Sequence, residues 1–270
     1  MFLYRIGPEG FYAAAEEPGG ALFVLFSDPF ETRPGGWQLG REVAPGPAAQ
    51  PLAPLAPLAP LAPLAPITPG KIVGIGRNYR EHARELDNPM PAEPLIFLKA
   101  PSSVVGPRVP IVLPPESARV EYEGEIAVVL RDRLRRASPE EARSAVLGVT
   151  CACDVTARDL QKKDATFARA KSFDTFCPMG PAVWVGADLD DLSVVTRVNG
   201  AERQRGHVSQ MAWGIAELLS YASRMMTLEP GDVVLTGTPA GVGPLADGDL
   251  IEVEIPGLGV LANPVEAFRG

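Results

Sequence analysis

Three carboxylates define the chemistry this chain could perform. Glu123 and Glu125 stand two apart in VEYEGEIAVVL, and Asp154 follows in GVTCACDVTARD. Ile126, Val128, Val129 and Leu130 complete an apolar run that reads as a strand. Side chains two apart on a strand share a face, so Glu123 and Glu125 should project together, with Glu121 a candidate third. Adjacent carboxylates repel unless a cation lies between them. A divalent ion is the simplest such cation, and an all-oxygen donor set favours Mg²⁺, Mn²⁺ or Ca²⁺ over zinc. A solvated edge strand carrying spare acids would show the same spacing, so the other segments must decide.

His82 and Glu85 lie three apart in GIGRNYREHARE and would face each other on a short helix. A glutamate can orient a histidine and stabilise its protonated form, leaving the imidazole fit to take a proton from water. The glycines here superficially suggest a dinucleotide fingerprint. Tyr79 occupies the third glycine's position and no βαβ unit surrounds it, so that reading is rejected. LDNPMPAEP follows, with the composition of a mobile loop that could close over a site. Lys171, in ARAKSFDTFCPMGP, could hold negative charge or pass a proton if it reached the acids. LTGTPAGVG (235–243) is a glycine-rich turn whose N–H groups, with Thr238, could bind a carboxylate. It lacks a P-loop lysine, so no nucleotide is expected.

Positioning these residues requires mostly strands. Residues 51–66 read PLAPLAPLAPLAPLAP, a Leu-Ala-Pro repeat that forbids helix and should form polyproline II. Its five leucines (Leu52, Leu55, Leu58, Leu61, Leu64) would fall along one edge. A stiff spacer laying them on the adjoining domain is favoured over an SH3-type ligand. The spacer divides a small β-rich N-terminal domain (1–50) from the main domain (67–270), which opens with the strand KIVGIG. Ser138 to Leu147 reads as a helix: Ser138 is the N-cap, Pro139 the first residue, Glu141 the other half of a capping box, and Gly148 the stop. A second helix is expected over 209–226, burying Met211, Ile215, Leu218, Leu219, Ala222 and Met226. GDVVLTG, DLIEVEI and GVLANPV close the chain as short strands between turns. The pattern is that of a mainly β roll or sandwich, largely antiparallel, with a few helices.

Composition excludes several classes. The 270 residues are 46% hydrophobic and 21% charged, as in a globular protein with a sizeable core. The formal charge of −8 argues against nucleic acid or an anionic membrane as the main partner. Cys151, Cys153 and Cys177 make an odd count, better read as buried thiols than as a disulfide scaffold or zinc site. MFLYRIGPEG lacks the pattern of a signal peptide, and no window reaches the ~18 apolar residues of a spanning helix. A cytoplasmic protein is expected.

Taken together, GRNYREHARE, EYEGEIAVV, CDVTARDLQ, AKSFDTFCPMGP, VNG, MTLEPGDVVLTGTPAGVG and the terminal β region resemble the fumarylacetoacetate hydrolase family, in order, from about Lys71 to Val265. The resemblance implies the family's mixed β-roll and, usually, a homodimer. It implies Mg²⁺ or Mn²⁺ held by Glu123, Glu125 and Asp154, and its spacing leaves Glu121 out. It implies a water-activating dyad, His82–Glu85, on a segment that orders over the substrate, and contacts to substrate oxygens from Lys171, Gln161, Thr238 and, less directly, Arg77. His207 stands where relatives more often have Asn. Family substrates are 2-oxo acids or their enols, whose 2-oxo and carboxylate groups share the ion. The resulting enolate can be hydrolysed, decarboxylated or isomerised. The length and the CPMGP region are most similar to the 2-hydroxyhepta-2,4-diene-1,7-dioate isomerase branch. An acylpyruvate or fumarylpyruvate hydrolase and an oxaloacetate decarboxylase are the alternatives within the fold. A metal-stabilised binding protein is the alternative outside catalysis.

Overall fold

The computed structural model describes residues 1–6, 10–25, 28–30, 37, 39–43, 64–85, 87 and 89–269. Its centre is the strand Gly124–Leu130, buried at every position. Ile126, Val128 and Leu130 enter one apolar cluster, while Ala127 and Val129 enter another on the opposite face. A strand buried on both faces reads as a continuous apolar run rather than an alternating one, which is the pattern IAVVL shows. Each fully buried Val, Leu or Ile contributes about 1.5–3 kcal/mol, so this strand anchors both cores.

Gly124–Leu130 pairs antiparallel with Val146–Cys153 and with Val233–Leu235. Ile72–Gly76 lies parallel to Val233–Leu235 and carries Leu95–Lys99 at the sheet edge. Against this sheet packs a second, formed by Ser193–Val198, Ala201–His207, Leu250–Ile255, Gly259–Ala267 and Ile111–Leu113. A small third sheet joins Val120–Tyr122 to Thr156–Ala157 and Gly243–Pro244. The architecture is the expected mainly β, largely antiparallel roll with few helices.

The N-terminal segment is β-rich as expected, but its strands continue the large sheet. Phe2–Ile6 pairs with Cys177–Val185, and Leu3, Ala14 and Leu25 share a core with Val129, Val183 and Val233. The Leu-Ala-Pro reading lies outside the described residues except at its end, where Leu64 is half-buried and Ala65 is buried.

Both helices are shorter than expected. The first spans Pro139–Ser144 with its capping box intact: Glu141 N–H donates to Ser138 Oγ at 3.2 Å and Ser138 N–H to Glu141 Oε2 at 2.8 Å. It stops before Val146 because VLGVTCAC is claimed by the central sheet, so Gly148 is a strand residue and no helix terminator. Ser138→Ala should cost about 1 kcal/mol, read as a drop in unfolding free energy in urea without change in activity. The second helix is Ile215–Met225, starting at Gly214, whose N–H is taken by Glu217 Oε2 at 2.8 Å. Residues 208–210 form a separate 3-10 turn, which leaves Met211 buried outside the helix.

Candidate active site

The two glutamates flank a junction, not the middle of one strand. Val120–Tyr122 belongs to the small sheet and Gly124–Leu130 to the large one, with Glu123 between them. Gly124 lies at the crossing, where a β-carbon would overlap Thr196 Oγ1, so only glycine fits there. Asp154 follows directly on Val146–Cys153. The pairing of Gly124 with Cys153 brings it alongside, and its N–H donates to the Glu123 carbonyl at 2.8 Å. Main-chain pairing thus joins two segments that lie far apart in sequence. All three acids are buried, and one oxygen from each lies within 4.8 Å of the others.

Burying these charges requires counterions, and three cations that sequence reasoning did not combine supply them. Lys171 Nζ donates to Asp154 Oδ2 at 2.6 Å and to Glu123 Oε2 at 2.8 Å. Lys99 Nζ donates to Asp154 Oδ1 at 2.6 Å and is held by the carbonyls of Val155 and Lys171. Arg158 bridges Glu123 Oε1 at 2.5 Å and Glu121 Oε2 at 2.6 Å. Glu121 is therefore buried but outside the triad, gripped by Arg158 and by Arg119 at 2.6 Å. Lys171 was expected near the acids, but Lys99 and Arg158 were missed. The signals were a lysine ending the apolar run LIFLK and an arginine beside the acid in CDVTARD.

These cations pair with Glu121, Glu123 and Asp154, and Glu125 is left out. Among the described residues no ion pair reaches it, and its Oε2 accepts the Gly237 N–H at 2.6 Å. Burial, then the charges of Asp154 and Glu123, push the Glu125 carboxyl well above the ordinary range. Burial acts the same way on Glu123, but the Lys171 and Arg158 cations outweigh it and hold that carboxyl far below. Burial opposes the Lys171 ammonium, yet Asp154 and Glu123 raise it above the usual lysine value, so it stays charged. Three converging oxygens, one of them on a carboxylate with no ion pair among the described residues, fit a small divalent cation with oxygen ligands.

A cavity of about 340 Å³ opens onto this cluster, lined among others by Arg77, His82, Glu123, Glu125, Gln161, Lys171 and Thr238. His82 is buried on the helix Arg80–Glu85, its Nδ1 3.4 Å from Glu85 Oε2. Glu85 also accepts the Gly241 N–H, at 2.9 and 3.1 Å from its two oxygens. Residues 86 and 88 of the expected closing loop lie outside the described residues. Gln161 Oε1 accepts from Arg158 Nη1 at 2.6 Å. The Thr238 hydroxyl donates to the Gly124 carbonyl at 2.8 Å, and the turn's Gly237 and Gly241 N–H groups hold protein carboxylates. His207 sits away from the cavity, bonded to Ser209 and Asp191. The three cysteines are buried, and burial pushes the Cys151 and Cys177 thiols up to about 12, which leaves them inert as nucleophiles at neutral pH. No helix among the described residues is long and apolar enough to cross a membrane.

Residues 71–266 match the family model described as fumarylacetoacetate (FAA) hydrolase C-terminal. An uncharacterised protein of Archaeoglobus fulgidus is 49% identical over 198 residues, 72% of this chain and 78% of that protein. The mitochondrial oxaloacetate tautomerase FAHD2A of Bos taurus is 43% identical over 209 residues, 73% of this chain and 67% of its own. The crystal structure of 2-hydroxyhepta-2,4-diene-1,7-dioate isomerase from Mycobacterium marinum superposes with a TM-score of 0.83 at 38% identity, covering 100% of both chains.

Proposed function

The chain belongs to the fumarylacetoacetate hydrolase family, and from that premise we propose a Mg²⁺- or Mn²⁺-dependent enzyme that acts on 2-oxo acid or enol dicarboxylates through an enolate. Isomerisation of 2-hydroxyhepta-2,4-diene-1,7-dioate in aromatic catabolism is the first reading. The observation that carries the proposal is the buried triad Glu123, Glu125 and Asp154 with its unpaired charge on Glu125. These three residues would hold the ion, which when bound supplies Lewis acidity to the substrate's 2-oxo and carboxylate oxygens.

The remaining steps belong to the side chains. Lys171, held as an ammonium, stabilises the negative charge that develops on the substrate oxygen. His82, oriented by Glu85, moves a proton at the cavity wall. Gln161, Thr238 and Arg77 border the space the substrate would fill. The cavity lining carries five cations (Arg77, Arg119, Arg158, Lys162 and Lys171) against three carboxylates, in a chain whose formal charge is −8. A bound divalent ion would widen that excess, so the pocket favours a dianion over a monoacid. A homodimer in the cytoplasm completes the proposal.

The named activity of the Bos taurus relative favours a second reading, keto–enol tautomerisation of oxaloacetate, which needs the same enolate and a shorter diacid. Hydrolysis of an acylpyruvate or fumarylpyruvate and decarboxylation of oxaloacetate are further fates of that enolate. Steady-state assay of the Mg²⁺-loaded protein against a panel of 2-oxo diacids separates these readings. Inactivity on the whole panel, with a metal still bound, would instead favour a binding protein. His82→Ala should lower kcat by about 10²–10⁴-fold while Mg²⁺ affinity stays within error, since the imidazole handles protons and not the ion. An unchanged kcat would remove the dyad from the chemistry.

A further inference from the structure

Gln204 lies on the strand Ala201–His207 and is 1% exposed. Its amide is almost fully used. Oε1 accepts the Gly124 N–H at 3.0 Å, while Nε2 donates to Thr238 Oγ1 at 2.7 Å and to the Pro239 carbonyl at 2.8 Å. The Thr238 hydroxyl closes the circuit by donating to the Gly124 carbonyl at 2.8 Å. Both main-chain polar groups of the residue between Glu123 and Glu125 are thus held by side chains of one buried network. The turn it grips also serves two carboxylates: Gly237 N–H donates to Glu125, and Gly241 N–H to Glu85. That turn rests directly on the strand, because Gly241 (φ +103°) lies so close that a β-carbon would overlap the Arg203 carbonyl.

We propose that Gln204 is a positioning residue for the reaction, holding the Glu123–Gly124–Glu125 segment and the 237–241 turn in one frame. The three acids and the His82–Glu85 dyad then keep a fixed relation to each other. A neutral amide suits this place. It satisfies donors and acceptors on both segments without adding charge to a cluster whose balance already leaves Glu125 unpaired. An apolar side chain of similar length would fill the space but leave Gly124 N–H and Pro239 C=O without their partner.

The inference rests on the metal reading, and the test keeps the two apart. Mg²⁺ is titrated calorimetrically into the metal-stripped wild type, Gln204→Met and Ser220→Ala. The last loses a buried hydrogen bond on the remote helix and controls for lost stability alone. Wild type and Ser220→Ala should bind alike, and Gln204→Met should bind about 10–100-fold more weakly, with a lower kcat at saturating Mg²⁺. Equal Mg²⁺ affinity in folded Gln204→Met overturns the role of Gln204. No binding by the wild type overturns the metal reading and this inference with it. Should Gln204→Met fail to fold, hydrogen exchange of the wild type decides. Mg²⁺ should slow exchange over 120–126 and 237–241 together, and protection confined to 120–126 contradicts the shared frame.

Discussion

Glu125→Gln is expected to lower kcat/KM with Mg²⁺ by about 10³-fold or more, yet to raise the melting temperature of the metal-free protein. The first effect follows from losing a ligand to an ion worth several kcal/mol of transition-state stabilisation, at about 1.4 kcal/mol per decade of rate. The second follows from the charge balance. Glu125 has no salt bridge among the described residues, so its neutralisation leaves no cation stranded and removes repulsion from Asp154 and Glu123. About 1 kcal/mol, or roughly 2–4 °C in a protein of this size, is a reasonable gain. The pH dependence fixes the sign. A carboxyl raised in the folded state binds its proton more tightly there than in the unfolded chain. Its stabilisation is therefore full below the unfolded glutamate value and is lost as pH rises through the folded one. Metal-free wild type should lose this contribution over that window while Glu125→Gln does not, so their difference in melting temperature widens with pH. A variant destabilised at neutral pH would show that Glu125 has a counterion after all.

Lys171→Met should have the opposite effect on stability. It removes one of the two cations on each of Glu123 and Asp154, leaving Arg158 and Lys99, and removal of one partner from a buried ion pair typically costs about 3–5 kcal/mol. Turnover at saturating Mg²⁺ should fall by about 10²–10³-fold as well, the usual effect of removing one aimed donor. Lys171→Arg should recover part of the stability but little of the rate, because a planar guanidinium cannot reproduce a compact ammonium between two carboxylates. Urea unfolding and single-turnover kinetics on the same preparations separate the two losses. Full stability in Lys171→Met would mean that Lys99 and Arg158 alone balance the cluster. Glu123→Ala and Asp154→Ala should also abolish metal-dependent turnover, but each removes a carboxylate from two buried ion pairs and so destabilises, unlike Glu125→Gln.

How much of this was legible in the sequence varies with the range of the interaction. The capping box at Ser138 and Glu141 is local and appears as expected. Helix ends were less legible. The helical pattern runs on into VLGVTCAC and back through SQMAW, where sheet pairing and the Gly214 cap override it. Glu123, Glu125 and Asp154 were each visible as residues, but only the pairing of Gly124 with Cys153 places the third beside the first two. Lys99 and Arg158 could not be assigned to acids from spacing, since sheet order alone decides which cation meets Asp154 and which meets Glu123. The N-terminal strands carried no sign that they would join the main sheet through Phe2–Ile6, because an edge-to-edge pairing depends on main-chain groups common to every residue.

The central claim is that Glu123, Glu125 and Asp154 hold a divalent ion. Crystals of the metal-stripped protein soaked in Mn²⁺, with anomalous differences recorded above the manganese edge, test it most directly. One strong peak per chain, within coordination distance of an oxygen from each of the three acids, is the expected result. A peak elsewhere in the chain, or none at the triad under saturating Mn²⁺, contradicts it.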